Sequence, residues 1–159
     1  EKSLSALSSF SENTIAKNRI PDRCWLGRST GAATPEEALH LNLSPGRQVH
    51  RFRRLRLADR SPMEIETSSI SGFALPSVDA VEASLYSALA LTGHRPVWAL
   101  KGFARKAAGV SRAEIFSVAP GHAGLWIYWG ALLGDGRPVD FTRSFYRGDA
   151  YDIVAELAV

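Results

Sequence analysis

The sequence predicts one domain of the α+β class, in which helices flank an antiparallel sheet of about six strands. Two stretches, residues 47–71 and 125–146, each contain two alternating apolar runs joined by a short polar turn, as β-hairpins do. Predicted helices and strands do not alternate as the βαβ units of a parallel sheet would require. A chain of 159 residues is long enough to form one hydrophobic core. No Pro-rich or low-complexity segment divides it, which indicates a single domain.

The N-terminal stretch divides into a linker end and a helix. Residues 1–8 are Ser-rich and without periodicity, and we expect the folded domain to occupy residues 9–159. A helix is predicted at the start of that domain because Ser9 or Ser11 can cap it and Glu12 falls in its first turn.

The remaining elements follow from turn and capping residues. Thr34 followed by Pro35 starts a short helix, Gly93 ends another, and Asp135-Gly136 turns the second hairpin. The predicted order is strand 23–33, helix 34–43, strands 47–57 and 62–71, helix 84–93, strand 95–108, a short helix and turn at 111–121, hairpin 125–146, and a candidate edge strand at 151–157.

An internal repeat links the two hairpins. In both halves a short helix is followed by a Pro-Gly turn, a long strand, a polar turn with proline and a second strand. Pro45-Gly46 matches Pro120-Gly121, and Pro62 matches Pro138. If this similarity is a true repeat, it predicts a pseudo-symmetric antiparallel sheet with two related halves.

Composition limits the classes of function. No apolar run approaches the ~20 residues of a membrane span, and one cysteine, Cys24, fits a cytoplasmic protein without disulfides. A net charge of +3 is weak support for nucleic-acid binding, despite a pI near 9.3. Four scattered histidines lack the spacing of metal ligands, so neither a metal nor a cofactor is expected.

The first hairpin carries charge on alternate positions. Arg54 and Arg56 lie on one strand, and Glu64 and Glu66 on the other. A register that pairs Arg56 with Glu64 and Arg54 with Glu66 puts all four on one face, because opposed residues share a side of the sheet. The opposite face is then wholly apolar: Leu55, Leu57, Met63 and Ile65. This register requires an odd-length loop or a bulge at the turn.

Two interpretations of the charged face remain open. It faces water, where ion pairs contribute only ~0–1 kcal/mol each. Otherwise a recess covers it and the arginines hold an anion, since guanidinium groups match phosphate and carboxylate. The tryptophans leave a similar choice. Trp126 and Trp129 point to opposite sides of their strand, and either both are core or interface residues or one of them stacks on the ligand.

Three strings together, RRLRLADRSPMEIETSSI, SLYSAL and GRPVDFTRSFYRGDAYDIVAEL, resemble the UTRA effector domain of GntR-type transcriptional regulators of the HutC subfamily. The resemblance implies a chorismate-lyase-like fold that binds small intracellular metabolites. It also implies a homodimer and an N-terminal winged helix-turn-helix domain, absent from this chain, through which alone operator DNA would be bound.

The resemblance also implies which residues contact the ligand. In family members that bind phosphorylated amino sugars, contacts come from two strand arginines, a glutamate, a Ser-x-Tyr helix start, the final hairpin and the backbone of the first helix. The matching positions here are Phe10, Ser11, Glu12, Arg54, Arg56, Glu66, Ser84, Tyr86, Asp140 and Tyr146. Asp140 departs from the pattern, since those relatives carry the longer Glu.

Three functions are therefore weighed. The first is a sensor of a small anionic effector such as a phosphorylated sugar, an amino sugar phosphate or a phosphonate, with no catalytic residue. The second is a lyase-like enzyme on the same fold, with Arg54 and Arg56 clamping a carboxylate substrate and Glu66 as general acid or base. The third is a nucleic-acid module, which predicts steeply salt-dependent DNA binding.

Overall fold

The computed structural model of the chain describes residues 21–82, 84–107, 109–116 and 119–147. The predicted first helix and the predicted edge strand at 151–157 lie outside these residues. The elements in chain order are β1 (Pro21–Ala32), α1 (Pro35–Leu41), β2 (Gln48–Ala58), β3 (Ser61–Ser71), a 3₁₀ turn (Val78–Ala80), α2 (Leu85–Leu91), β4 (Trp98–Ala107), α3 (Val110–Phe116), β5 (Ala123–Leu132) and β6 (Pro138–Arg147).

All six strands form a single antiparallel sheet in the order β1-β2-β3-β6-β5-β4. The α+β class and the number of strands are confirmed. The 3₁₀ turn was not predicted. The first strand begins at Pro21, two residues before its predicted start.

The strand order is symmetric about the middle of the sheet. The segment β1-α1-β2-β3 forms one half and β4-α3-β5-β6 the other, with β3 and β6 paired at the centre. Both α1 and α3 pack on the same side of the sheet. The arrangement is what the sequence repeat predicted, two related halves in one antiparallel sheet.

The β2–β3 hairpin has the predicted register. Arg54 pairs with Glu66 and Arg56 with Glu64. The next residue on β2, Leu57, pairs with Pro62, so the cross-strand pairing skips Met63. Met63 is thus the extra residue of a β-bulge, as the segregation of charge required. The turn residues Asp59 and Arg60 have φ of 52° and 63°, the left-handed pair of a type I′ turn.

The two faces of the sheet are covered differently. On one side, α1 and α3 bury two apolar clusters, and we call this the helical face. It includes Ile65, Trp126, Phe141 and Phe145. On the other side, α2 and the 3₁₀ segment pack over only one end of the sheet, around Phe52, Ile70 and Val139. That second side, called the polar face below, carries the paired charges.

A partly buried ion pair between Glu37 and Arg51 fixes α1 on the helical face. Thr34 caps the helix by accepting a hydrogen bond from the Glu37 N–H, and the Glu37 carboxylate accepts one from the Thr34 N–H at 3.0 Å. The same carboxylate receives the Arg51 guanidinium at 2.7–3.2 Å and is only 1% exposed. Arg51 is therefore a structural residue that joins β2 to α1.

Candidate functional site

The polar face is built by three neighbouring strands at the centre of the sheet. Cross-strand pairing aligns Arg54 of β2 with Glu66 of β3 and with Ser144 of β6. The adjacent row contains Arg56, Glu64 and Tyr146. Because side chains directly opposed across antiparallel strands share a face, these six groups point to the same side.

Two arginines converge on one carboxylate. The Nη2 atoms of Arg54 and Arg56 both donate to Glu66; for Arg56 the contacts are 3.3 Å to Oε1 and 3.2 Å to Oε2. Their side chains are only 7% and 11% exposed, and that of Glu66 12%. The buried Nε of Arg54 has no hydrogen-bond partner among the described residues. The Nε–H of Arg54 can therefore donate a hydrogen bond to a ligand.

The charges in this cluster support one another. Burial alone would raise the pKa of Glu66, but the charges and hydrogen bonds of Arg54 and Arg56 outweigh it and hold that pKa below its usual range. Burial likewise works to lower the pKa of Arg56, and Glu66 and Glu64 reverse the direction and raise it. Glu66 is thus a carboxylate, and Arg56 is a cation.

Glu64 is the acidic residue of the second row. It is fully buried, accepts hydrogen bonds from the Ser144 and Tyr146 hydroxyls, and lies 3.8 Å from the Arg56 Nε. Burial, together with the negative charge of Glu66, raises the pKa of Glu64. Protonation of this carboxyl is therefore easier than for an ordinary glutamate.

A chain of hydrogen bonds surrounds Asp140 farther along β6. Trp129 Nε1 donates to the Tyr86 hydroxyl at 2.8 Å, and that hydroxyl donates to Asp140 Oδ2 at 3.3 Å. Thr142 donates to Asp140 Oδ1 at 2.7 Å and also contacts Ser68 at 2.8 Å. Burial, with the charge of Glu66 added, raises the pKa of Asp140 to about 7. Burial and Asp140 also raise the pKa of Tyr86.

An aromatic residue supports Arg54 from the side of β1. Trp25 pairs with Arg54, whose guanidinium carbon lies 5.1 Å from the indole centroid. The guanidinium of Arg28 lies 4.1 Å from the same ring and donates to the carbonyl groups of Val78 and Val81. The stack of Arg28, Trp25 and Arg54 thus ties the arginine cluster to the 3₁₀ segment.

The structure brings most of the sequence-predicted residues onto this face. Arg54, Arg56 and Glu66 form one cluster, and Tyr86 and Asp140 form a hydrogen-bonded pair. Tyr146 hydrogen-bonds Glu64 and also interacts electrostatically with Arg56. Ser84 is exposed and caps α2 by accepting the Ser87 N–H at 3.3 Å. Phe10, Ser11 and Glu12 lie outside the described residues.

Several residues of this face were not among the predicted contacts. The set comprises Trp25, Glu64, Ser68, Trp129, Thr142 and Ser144. Strand alternation placed Glu64 on the charged face, so that signal was available in the sequence. Trp126 packs against Phe145 in the core of the helical face, so of the two interpretations of this tryptophan the core residue is confirmed. Trp129 faces the polar side instead. No group of three His, Cys, Asp or Glu suited to a metal ion occurs within the described ranges.

The family of the chain is defined by its sequence. The family model for the UTRA domain matches residues 16–152. The chain belongs to the UTRA domain family. This confirms the resemblance seen in the three sequence strings, and the fold agrees with it. No helix in the described part of the chain is long and apolar enough to cross a membrane.

Relatives of this UTRA domain carry the names of regulators. It is 26% identical over 159 residues to the HTH-type transcriptional regulator GgaR of Escherichia coli K12, covering 98% of this chain and 63% of that protein. Identity to the HTH-type transcriptional repressor NagR of Bacillus subtilis is 28%, over 97% of this chain and 65% of the relative. The chain therefore spans slightly less than two thirds of each relative.

Solved structures share the fold. The effector domain of PhnF from Mycobacterium smegmatis superposes with a TM-score of 0.88 at 19% identity, over 97% of each chain. A regulator of the GntR family from Enterococcus faecalis gives a TM-score of 0.79 at 22% identity, over 86% of this chain and all of the other. At these identities the likeness describes the fold.

Proposed function

We propose that this UTRA domain is the effector-sensing part of a GntR-type transcriptional regulator of the HutC subfamily, and that its polar face binds a small anionic metabolite. The observation that carries this proposal is the pair of buried arginines, one of which has a buried Nε that bonds to nothing in the described part of the chain. Taking two guanidinium ions out of water is costly, and a fold that needed only packing would gain by apolar residues at these positions.

The chemistry of the pair favours phosphorylated sugars, amino sugar phosphates or phosphonates. Guanidinium groups bind phosphate-like anions by charge-assisted hydrogen bonds. Glu66, Tyr86 and Asp140 then lie within the same face to contact hydroxyl or amine groups of the ligand. Asp140 is short and held by two hydrogen bonds, so it adapts less to the ligand than a glutamate would.

The response of the protein is a shift in population. In the relatives' names the regulator is of the HTH type, and we propose that a winged helix-turn-helix part contacts operator DNA. A ligand that binds one arrangement of the domain more tightly favours that arrangement and so changes DNA binding. Such a regulator acts in the cytoplasm, where its DNA and metabolites meet.

We also propose a homodimer. Of the strands described, β4 ends the sheet, and Trp98 and Leu100 are exposed there by 65% and 70%. Trp98 pairs with Leu132 of β5 and Leu100 with Gly130, on the helical-face side of the sheet. Sedimentation equilibrium of the wild-type chain and of Trp98→Glu is the check. A dimer weakened by the variant supports this surface, and a wild-type monomer refutes the dimer.

The ligand is tested by thermal unfolding against a panel of metabolites, each phosphorylated compound beside its unphosphorylated parent. A saturating ligand at 100 times its Kd adds about 2.7 kcal/mol of stability. Arg54→Ala should abolish the shift. Arg137→Ala is the matched control, because Arg137 is exposed and contacts Asp135 and the Phe73 ring at the last hairpin turn, not the arginine–Glu66 cluster.

Three outcomes would contradict the proposal. If no anion stabilises the chain, or if Arg54→Ala responds as Arg137→Ala does, the arginines do not form the anion site. If mass spectrometry shows that the stabilising compound is converted during incubation, the chain is an enzyme of the lyase-like type instead.

A further inference from the structure

The Nη2 atoms of both arginines are already bonded to a carboxylate of the protein itself. Arg54 and Arg56 direct their Nη2 atoms at the same carboxylate, and Glu66 accepts with both of its oxygens. The Nε of Arg54, which has no hydrogen-bond partner among the described residues, is itself buried. In this state an external anion meets an arginine pair whose Nη2 groups are bonded to the Glu66 carboxylate.

A phosphate group that uses these N–H groups must therefore take the position of Glu66. The side chains of Arg54, Arg56 and Glu66 are each exposed by no more than 12%, so the Nη2 groups face Glu66 rather than solvent. The exchange replaces one charge-assisted set of hydrogen bonds by another, and it leaves Glu66 without its cations.

Two further carboxyl groups lie near the carboxylate that would be released. Glu64 and Asp140 both interact unfavourably with the charge of Glu66. A released Glu66 would therefore be a buried carboxylate next to two further carboxyl groups. Such a charge requires a new partner, and the ligand is the molecule present to provide it.

We propose that Glu66 is an internal occupant of the arginine pair, displaced on binding, and that the site selects anions which also carry an ammonium group for the released carboxylate. This inference rests on the proposed anion-binding function of the same face. It assigns Glu66 two roles, as competitor for simple anions and as the specificity-determining contact for ligands that bear both charges.

The experiment compares two phosphate monoesters that differ by one ammonium group, ethyl phosphate and O-phosphorylethanolamine, with inorganic phosphate as the smallest probe. Isothermal titration at pH 7.5 gives their Kd values for the wild-type chain and for Glu66→Gln. In the wild type we expect the ammonium-bearing ester to bind at least tenfold more tightly than ethyl phosphate. In Glu66→Gln we expect inorganic phosphate to bind about tenfold more tightly than in the wild type, and the preference for ammonium to vanish.

Glu37→Gln is the matched control. It also neutralises a buried glutamate paired with an arginine, but on the helical face. This variant should lose stability and keep the wild-type Kd values for all three probes. A general effect of weakening a buried ion pair would instead appear in both glutamine variants.

The outcomes separate this inference from the function on which it rests. If no probe binds either protein, the anion site itself is refuted. If phosphate binds Glu66→Gln as it binds the wild type, or more weakly, Glu66 orients the arginines rather than competing, and only the present inference fails. Should Glu66→Gln not fold, the wild-type ratio decides: equal Kd values for the two esters overturn the inference.

Discussion

The indole N–H of Trp129 donates a hydrogen bond to the hydroxyl of Tyr86 at 2.8 Å, across 43 positions of sequence. Trp129 belongs to β5 and Tyr86 to α2, so this bond joins the helix that covers one end of the polar face to the strand beneath it. Because the same hydroxyl donates to Asp140, the bond also orients the Tyr86 O–H towards the site.

Trp129→Phe should destabilise the domain through this bond. The variant keeps an aromatic ring and removes the N–H donor, and a lost hydrogen bond costs about 0.5–1.5 kcal/mol. Urea unfolding of Trp129→Phe, Tyr86→Phe and the double variant forms a cycle that cancels the change in ring size. Strictly additive effects would show that the two groups are not coupled.

Gly124→Ala and Gly130→Ala should have opposite effects within one strand. A Cβ on Gly124 would lie 2.1 Å from the Phe145 ring, so the aromatic core of the helical face must shift, at a cost of about 1–3 kcal/mol. A Cβ on Gly130 meets nothing within 4 Å, and the loss of glycine entropy should add about 0.5–1 kcal/mol. Thermal unfolding distinguishes them, and a stable Gly124→Ala would contradict the packing.

The fold was largely predictable because its signals are local. Alternation alone placed Arg54, Arg56, Glu64 and Glu66 on one face, and the bulge at Met63 follows from the requirement that the faces stay segregated. The repeat predicted a sheet of two related halves, since each half has the same order of helix, turn and hairpin.

The site was less predictable because its contacts span long separations. Whether α2 covers the polar face depends on packing around Phe52 and Val139, which no local pattern shows. Strand alternation correctly put Trp129 on the side of the sheet opposite Trp126. Its hydrogen bond to Tyr86, however, depends on the packing of α2, which carries Tyr86. Trp25 approaches Arg54 only through the pairing of β1 with β2, whose register shifts after Trp25.

Replacing Glu37 by alanine should cost about 2–4 kcal/mol, because it leaves Arg51 without its carboxylate and removes half of the capping box. Thr34→Ala removes only the cap and should cost about 1 kcal/mol. Urea titrations at pH 7 measure both. Equal losses in the two variants would show that the ion pair contributes nothing beyond the cap.

The lowered pKa of Glu37 predicts a loss of folding stability in acid. Burial alone would raise the pKa of Glu37, but the Arg51 hydrogen bonds lower it to about 2 from an ordinary 4.5. The unfolded chain then binds more protons in this range, so stability falls as the pH drops from about 4.5 to 2. Glu37→Gln should remove this part of the acid transition.

The raised pKa of Asp140 predicts a dependence of folding stability on pH that is opposite in sign to that of Glu37 and lies at higher pH. Its pKa rises from 3.8 to about 7 through burial and the charge of Glu66, so the folded state holds a proton that the unfolded chain has released. Between about pH 4 and 7 the folded state binds more protons, and stability should therefore fall as the pH rises. Asp140→Asn keeps a side chain that accepts from Tyr86 and cannot ionise, so its stability should change less over this range. Unfolding free energies at pH 4.5, 6 and 7.5 test this, with Glu64→Gln beside it because the pKa of Glu64 is also raised. If Asp140→Asn retains the full wild-type slope, the carboxyl of Asp140 is ionised in the folded protein and the polar face carries one more negative charge than proposed.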